Sequence, residues 1–281
     1  MKVLDTLFNR IFVPSQLTQL LNTGTMNHAV LAAEKYNLKG NSLAQTLTNI
    51  YGYLKYNHRN EYFYKNELFN KIVLGRHSLK TTSAIRELPV GKAIADFIII
   101  NGKAQVYEIK TDLDNLDRVK AQITSYFKAF KYVNVITCDT KVKSLIRKID
   151  EHVGIYTLTK RNQLHCVRKA EENVNSLDSE TIFKILRKKE YEYIVKNKYG
   201  ELPRINAFDY YSEMFNKFRE IPLIEQQNEL VYCLKQRYLQ RFIGQENLIS
   251  DTQPELRELV YFSNYTKKQI EHIQAILKGD V

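Results

Sequence analysis

The stretch Ala95-Asp96-Phe97-Ile98-Ile99-Ile100-Asn101-Gly102-Lys103-Ala104-Gln105-Val106-Tyr107-Glu108-Ile109-Lys110 decides how this chain is read. Two β-rich runs flank an Asn-Gly turn signal, which predicts an antiparallel hairpin. Glu108 and Lys110 lie two apart on the second run, so both project from one face. Whether Asp96 joins that face depends on the turn. A two-residue Asn101-Gly102 loop pairs Ile100 with Lys103 and leaves Asp96 opposite Tyr107. A three-residue loop, Asn101-Gly102-Lys103, pairs Ile100 with Ala104 and sets Asp96 across from Glu108.

Outward from the hairpin, apolar spacing predicts a helix over 115–130, with Leu116, Val119, Ile123, Phe127 and Phe130 on one stripe. A strand over 132–138, a helix over 142–149 and shorter strands over 154–159 and 164–167 follow. Before the hairpin, 81–87 reads as a strand ended by Pro89 and Gly91. Residues 1–75 read as helical. Leu4, Leu7, Phe8 and Ile11 recur at helical spacing, and further helices are predicted over 27–36, 42–54 and 60–75, the last capped by Asn60. After Ser179 the strands stop, and helices are predicted over 181–197, 207–218 and 226–242. The expected architecture is α/β, with α-β-β-β-α-β order and helical extensions at both ends. The expected division is a helical N-terminal extension over 1–58, an α/β core over 59–172 and a helical C-terminal region over 173–281.

The net charge of +11 is unevenly spread. Residues 1–170 hold 26 Lys and Arg against 13 Asp and Glu, a balance of +13, whereas 171–281 hold 16 against 18. A polyanionic partner accounts for such an excess, since Lys and Arg that neutralise phosphates gain affinity by counterion release. The near-neutral C-terminal region suits an oligomer contact or a protein partner better than independent binding of nucleic acid. No apolar run reaches the ~20 residues of a membrane span. Met1-Lys2-Val3-Leu4-Asp5 meets charge too early for a secretory segment, and Cys138, Cys166 and Cys233 show no disulfide or zinc spacing. A cytoplasmic protein with reduced thiols is expected.

Hydrolysing a phosphodiester at neutral pH calls for two acidic groups aimed at one point with a cation beside them, because Mg²⁺ takes hard oxygen ligands. Asp96, Glu108 and Lys110 supply that set if the longer turn holds. Asp96, then a hairpin, then Glu108-Ile109-Lys110, then Gln122-Ile123-Thr124-Ser125-Tyr126 on a helix resembles the PD-(D/E)XK nuclease superfamily in its RecB-like branch. Ala95 stands where the motif's name has Pro. The stretch from Arg86 to Lys110, with Glu61-Tyr62-Phe63-Tyr64-Lys65-Asn66, also resembles a small bacterial family of nuclease-like proteins of poorly defined role.

The resemblance implies a restriction-endonuclease-like core and a metal-dependent nuclease acting on nucleic acid, with DNA as the expected substrate. It implies that Asp96 and Glu108 bind Mg²⁺ or Mn²⁺, with the Ile109 carbonyl as a further ligand, and that Lys110 orients water or stabilises developing charge. It gives Gln122 and Tyr126 a role in positioning substrate, and offers a first-helix acid, Glu61 in preference to Glu67. Three smaller readings complete the set. Arg76 could grip a phosphate, and Glu87 could approach the metal or pair with a cation. Asp112, Asp114 and Asp117 are expected to cap the helix that follows, and Lys235 and Arg237 to lie on a solvated helix face.

Overall fold

The computed structural model describes residues 6–242 and 244–279, so Met1 to Asp5, including Leu4, lie outside the described residues. Four helices open the chain: α1 (Pro14–Thr23), α2 (Asn27–Tyr36), α3 (Leu43–Asn57) and α4 (Glu61–Leu68), the last continuing as a π-helical stretch, Phe69–Leu74. Six strands follow, β1 (Ser83–Val90), β2 (Ala93–Asn101), β3 (Lys103–Lys110), β4 (Tyr132–Thr137), β5 (Gly154–Leu158) and β6 (Leu164–Arg168). Helix α5 (Val119–Phe127) connects β3 to β4, and α6 (Val142–Ile146) connects β4 to β5. The chain closes with α7 (Ser179–Ile185), α8 (Lys188–Tyr199), α9 (Tyr210–Arg219), α10 (Leu223–Phe242), α11 (Glu246–Ser250), α12 (Arg257–Phe262) and α13 (Lys267–Lys278). Among the described residues no helix is long and apolar enough to cross a membrane.

The contacts divide the described residues into two units. One takes the residues up to Lys80, Thr159–Gln163 and those from Phe242 onward; the other takes Thr81–Leu158 and Leu164–Arg241. The first unit is helical. Side chains start α3 and α4: Ser42 accepts from the Gln45 amide at 3.1 Å and Asn60 from the Phe63 amide at 3.0 Å. Its interior is rich in aromatic rings, with Phe12 stacked on Tyr62 and Phe8 on Tyr53.

The second unit is built on a six-stranded mixed sheet in the order β1-β2-β3-β4-β5-β6. The first three strands are antiparallel, β3-β4-β5 are parallel, and β6 returns antiparallel to β5. Parallel neighbours need a crossover, and α5 and α6 supply the two. One face of the sheet presents Ile98, Ile100, Ala104, Val106, Val133, Val135 and Ile155 to a core that α5 completes with Val119, Ile123, Tyr126 and Phe127. Phe97, Ile99 and Ile136, on alternate positions, are buried as well, so the central strands read as unbroken apolar runs. Helices α7 to α10 join the same core through Ile182, Phe183, Ile194, Met214, Phe218, Leu230 and Leu234.

Pro89 does not end β1. That strand lies on the edge of the sheet, where a residue without an N–H is tolerated, and pairing continues to Val90 opposite Ala93. The single helix predicted over 181–197 is two helices. Leu186 is extended (φ −71°, ψ 139°), and α8 restarts with the Arg187 amide donating to the Glu190 carboxylate. That carboxylate also explains Arg237, which is half-buried rather than solvated and donates to Glu190 through two nitrogens.

Gly154, at the start of β5, has an identifiable reason. A Cβ there would lie 2.1 Å from Asn134 Oδ1 and 2.8 Å from the Ala170 amide nitrogen. Gly154→Ala therefore displaces the buried Asn134 side chain and the main chain at Ala170, just past β6, and we expect a loss of about 1–3 kcal/mol by urea denaturation. An unchanged unfolding midpoint would show that Asn134 and the chain at Ala170 can yield there.

Candidate functional site

The turn between β2 and β3 settles the register. Ile100 pairs with Ala104 and Asn101 with Lys103, while Gly102 at the tip takes a left-handed backbone (φ 69°) that glycine adopts without steric cost. This is the longer of the two registers, and it puts Asp96 at the position facing Glu108. The regular ladder stops one step earlier, at Phe97 and Tyr107. Beyond it the Asp96 carboxylate takes over, accepting the Ile109 amide proton at 2.7 Å. A side chain thus replaces a strand at the point where β2 and β3 part.

Strand β1 is irregular at the same level. Arg86 pairs with Phe97 and Leu88 with Ala95, but the intervening Glu87 and Asp96 are not paired as ladder partners. Glu87 has a left-handed backbone (φ 54°), which costs an L-residue about 1–2 kcal/mol. The sheet changes phase there: Ile85 faces the α5 core before the defect, and Leu88 and Val90 face it after. Local strain of this kind concentrates at functional sites.

Glu108 is the hub of the cluster. It is 1% exposed, and its carboxylate accepts three side-chain donors: Lys110 Nζ at 2.7 Å and Gln122 Nε2 at 2.6 Å on Oε1, and the Tyr126 hydroxyl at 2.5 Å on Oε2. Lys110 Nζ also donates to Gln122 Oε1 at 3.0 Å, closing a three-membered ring of hydrogen bonds. Helix α5 presents Gln122 and Tyr126 one turn apart on the face turned to the sheet, where i and i+4 side chains are neighbours. Tyr126 has one proton and a second acceptor within reach, the Ile94 carbonyl at 2.7 Å. The nearer, charged acceptor takes that proton. Burial, and after it the charge and hydrogen bond of Glu108 and the charge of Asp96, push the Tyr126 phenol well above its ordinary range. Tyr126 is therefore a neutral donor at any physiological pH.

Tyr126→Phe removes one donor from a buried carboxylate oxygen. We expect about 1–3 kcal/mol of destabilisation in chemical denaturation. No change would mean that Glu108 Oε2 has another source of solvation.

The loop after Lys110 is held by residues the sequence did not mark. Thr137 Oγ1 donates to the Lys110 carbonyl at 2.7 Å. Lys141 Nζ donates to the carbonyls of Thr111, at 2.6 Å, and of Asp114. Asp114 does not cap α5; its carboxylate accepts the Thr111 amide at 2.7 Å and the Thr111 hydroxyl at 2.8 Å, and α5 begins at Arg118 with no side-chain cap. Nothing near Thr137 or Lys141 in sequence advertises these roles, because parallel pairing of β3 with β4 brings them in from some thirty residues away.

The hydrogen-bonded cluster comes entirely from the second unit. Glu61, Glu67 and Arg76 belong to the first. There Glu61 pairs with Lys65 at 2.7 Å, and Glu67 accepts from Tyr51 and Asn162 and pairs with Lys71 at 3.1 Å. Arg76 is exposed just beyond the π-helical stretch.

The donors in the cluster suit one class of ion. Among the described residues, no group of three or more His, Cys, Asp and Glu side chains is arranged to hold a metal. Zinc, which wants nitrogen or sulfur ligands, has no match here. Mg²⁺ and Mn²⁺ ask for less, since one or two carboxylates suffice when water and substrate phosphate complete the shell. A carboxylate has four lone-pair sites, and the three donors to Glu108 leave one on Oε2. Asp96 and Glu108 fit that ion class.

Comparison with known proteins gives three findings. The family described as "Bacteriophage P4 protein cII" matches residues 55–253. Protein cII of Enterobacteria phage P4 is 28% identical over 68 residues, 24% of this chain, so the chain spans about a quarter (26%) of the curated relative it matches. A solved structure of a protein of unknown function from Silicibacter pomeroyi aligns over 46% of this chain and 86% of its own, at 13% identity and a TM-score of 0.29.

Proposed function

We propose that this chain, which belongs to the bacteriophage P4 protein cII family, is a divalent-metal-dependent phosphodiesterase that cleaves DNA, with a restriction-endonuclease-like core of the PD-(D/E)XK type in its second unit. The family match takes in the whole cluster from Asp96 to Tyr126. The observation that carries the proposal is the register: Asp96 faces Glu108 across the β2–β3 fork, and Lys110 stands against Glu108.

In this reading Asp96, Glu108 and the Ile109 carbonyl hold Mg²⁺ or Mn²⁺. A bound ion of that class supplies Lewis-acid charge and an acidified water. Glu108 is kept in one rotamer by its three donors, so little reorganisation is needed when substrate arrives. Lys110 places a positive charge beside Glu108, where negative charge develops on the phosphate. Gln122 fixes Lys110 as well as Glu108, and Tyr126 anchors Glu108 from the opposite side. These two are positioning residues.

The test is cleavage of single- and double-stranded DNA with Mg²⁺ or Mn²⁺ and with EDTA, using Glu108→Ala and Lys110→Ala as controls. Metal-dependent cleavage lost in both variants is expected. Cleavage surviving both would sink the assignment. A second reading, a nuclease-fold protein that binds nucleic acid and needs a partner to cut, draws on the charge excess of residues 1–170, which calls for a polyanion but not for its cleavage. Salt-dependent DNA binding with no cleavage under any metal would select it.

A further inference from the structure

A second feature of the same unit lies beside the cluster and is not used by it. Pro89, Gly91 and Lys92 of the β1–β2 turn, Lys128 at the end of α5, and Asp178, Glu180, Thr181, Lys184 and Ile185 around α7 enclose a cleft of about 430 Å³. We propose that this cleft is a phosphate subsite for the nucleic-acid strand flanking the scissile position, with Lys92 and Lys128 as its cations. The inference rests on the phosphodiesterase reading above and gives its substrate a path.

Three observations carry it. The first is continuity. Tyr126 reaches from the cluster to the Ile94 carbonyl, two residues from Lys92, and a Cβ at Gly91 would touch Ser125, the neighbour of Tyr126 on α5, at 3.8 Å. The cleft and the cluster are thus two stations along α5 and the β1–β2 hairpin. Lys128 is six residues past Gln122, about 9 Å along a helix axis. That is roughly two to three nucleotide steps at ~3.4 Å each.

The second is charge. Of the two acids in the cleft, Glu180 pairs with Lys184, whereas Asp178 caps α7, accepting from the Thr181 amide at 2.8 Å and from its hydroxyl at 2.5 Å, and keeps its charge. Hydrogen bonds from Thr181 and the charges of Lys128 and Lys184 hold the Asp178 carboxyl below its usual range although burial opposes this. Lys92 and Lys128 are exposed, the charge of Lys128 acts in part on Asp178, and the lining keeps a net charge of +1, three lysines against two acids. The third is shape. Gly91 (φ 59°) takes the left-handed backbone of the two-residue turn that closes between Val90 and Ala93, and the turn's other central residue, Lys92, stands on the wall of the cleft.

Lys128 could also be explained as a cation at the C-terminal end of α5, complementing the helix dipole. Salt dependence separates the two roles. Binding of fluorescein-labelled single-stranded and duplex DNA to the full chain is measured in EDTA, so that no cleavage occurs, over a range of salt concentrations. Each phosphate contact contributes a slope of about 0.9 in log Kd against log salt for duplex and about 0.7 for single strands. Lys92→Gln/Lys128→Gln is expected to reduce the slope by about 1.8 on duplex or about 1.4 on single strands. Lys189→Gln/Lys196→Gln, which removes the same charge from exposed positions on α8, is expected to leave it unchanged. If wild type cleaves and binds with a salt-dependent slope but the cleft variant keeps that slope, the subsite is overturned and the phosphodiesterase reading stands. An equal fall in the α8 variant would also overturn the subsite, since it would mark a general charge effect. Wild type that neither cleaves nor binds would overturn both.

Discussion

Glu108→Gln is expected to lower metal-dependent cleavage by about 10²–10³-fold while the protein stays folded. The substitution changes charge and leaves shape. All three partners of the Glu108 carboxylate are donors, so an amide NH₂ would at first sight clash with one of them. Tyr126 can absorb the change. Its hydroxyl already lies 2.7 Å from the Ile94 carbonyl, and by turning its proton there it becomes an acceptor for the new amide. Lys110 and Gln122 then keep a carbonyl oxygen to donate to. Activity is followed by the cleavage assay and the fold by thermal melting. A Glu108→Gln variant that cleaves at the wild-type rate would remove Glu108 from the chemistry.

The second large effect concerns stability and does not depend on any function. Lys110→Ala leaves the Glu108 charge 1% exposed, with its cation gone and only the neutral donors Gln122 and Tyr126 remaining. Removing one partner of a buried pair typically costs about 3–5 kcal/mol, because the other charge stays buried and uncompensated. Lys110 is itself 12% exposed, so some water reaches its site and the lower end of that range is expected. Replacing both, Glu108→Gln with Lys110→Met, takes away the stranded charge. The double variant should therefore be more stable than Lys110→Ala alone. Equal stabilities would mean that Glu108 is relieved by water once Lys110 is lost.

The hairpin was legible in the sequence because two β-rich runs and a Gly-containing turn between them are local signals. The turn sequence left two registers open, since Gly102 lies in both loops, and the structure takes the one that puts Asp96 level with Glu108. Helix α5 was legible as a stripe, and the i, i+4 spacing of Gln122 and Tyr126 put both on the side turned to Glu108.

What escaped detection is non-local. Strain at Glu87 has no signature, since no local rule places a left-handed Glu in mid-strand. Thr137 and Lys141 reach the Lys110 loop only once β3 and β4 are parallel neighbours. The break at Leu186 was hidden by an apolar pattern that runs across it, and the partnership of Arg237 with Glu190 joins residues from different helices. Linear composition likewise separates α7–α10 from the sheet, although their apolar faces share one core with it. Charge had a different limit. The excess in residues 1–170 argues for a polyanion but cannot say where on the surface it runs.

The most direct test of the account is diffraction from crystals soaked in Mn²⁺, read as anomalous density. One ion bound by both Asp96 and Glu108 is expected, and none there in crystals of Glu108→Gln treated in the same way. Mn²⁺ bound elsewhere, or no ion at the β2–β3 fork in wild type, would contradict it.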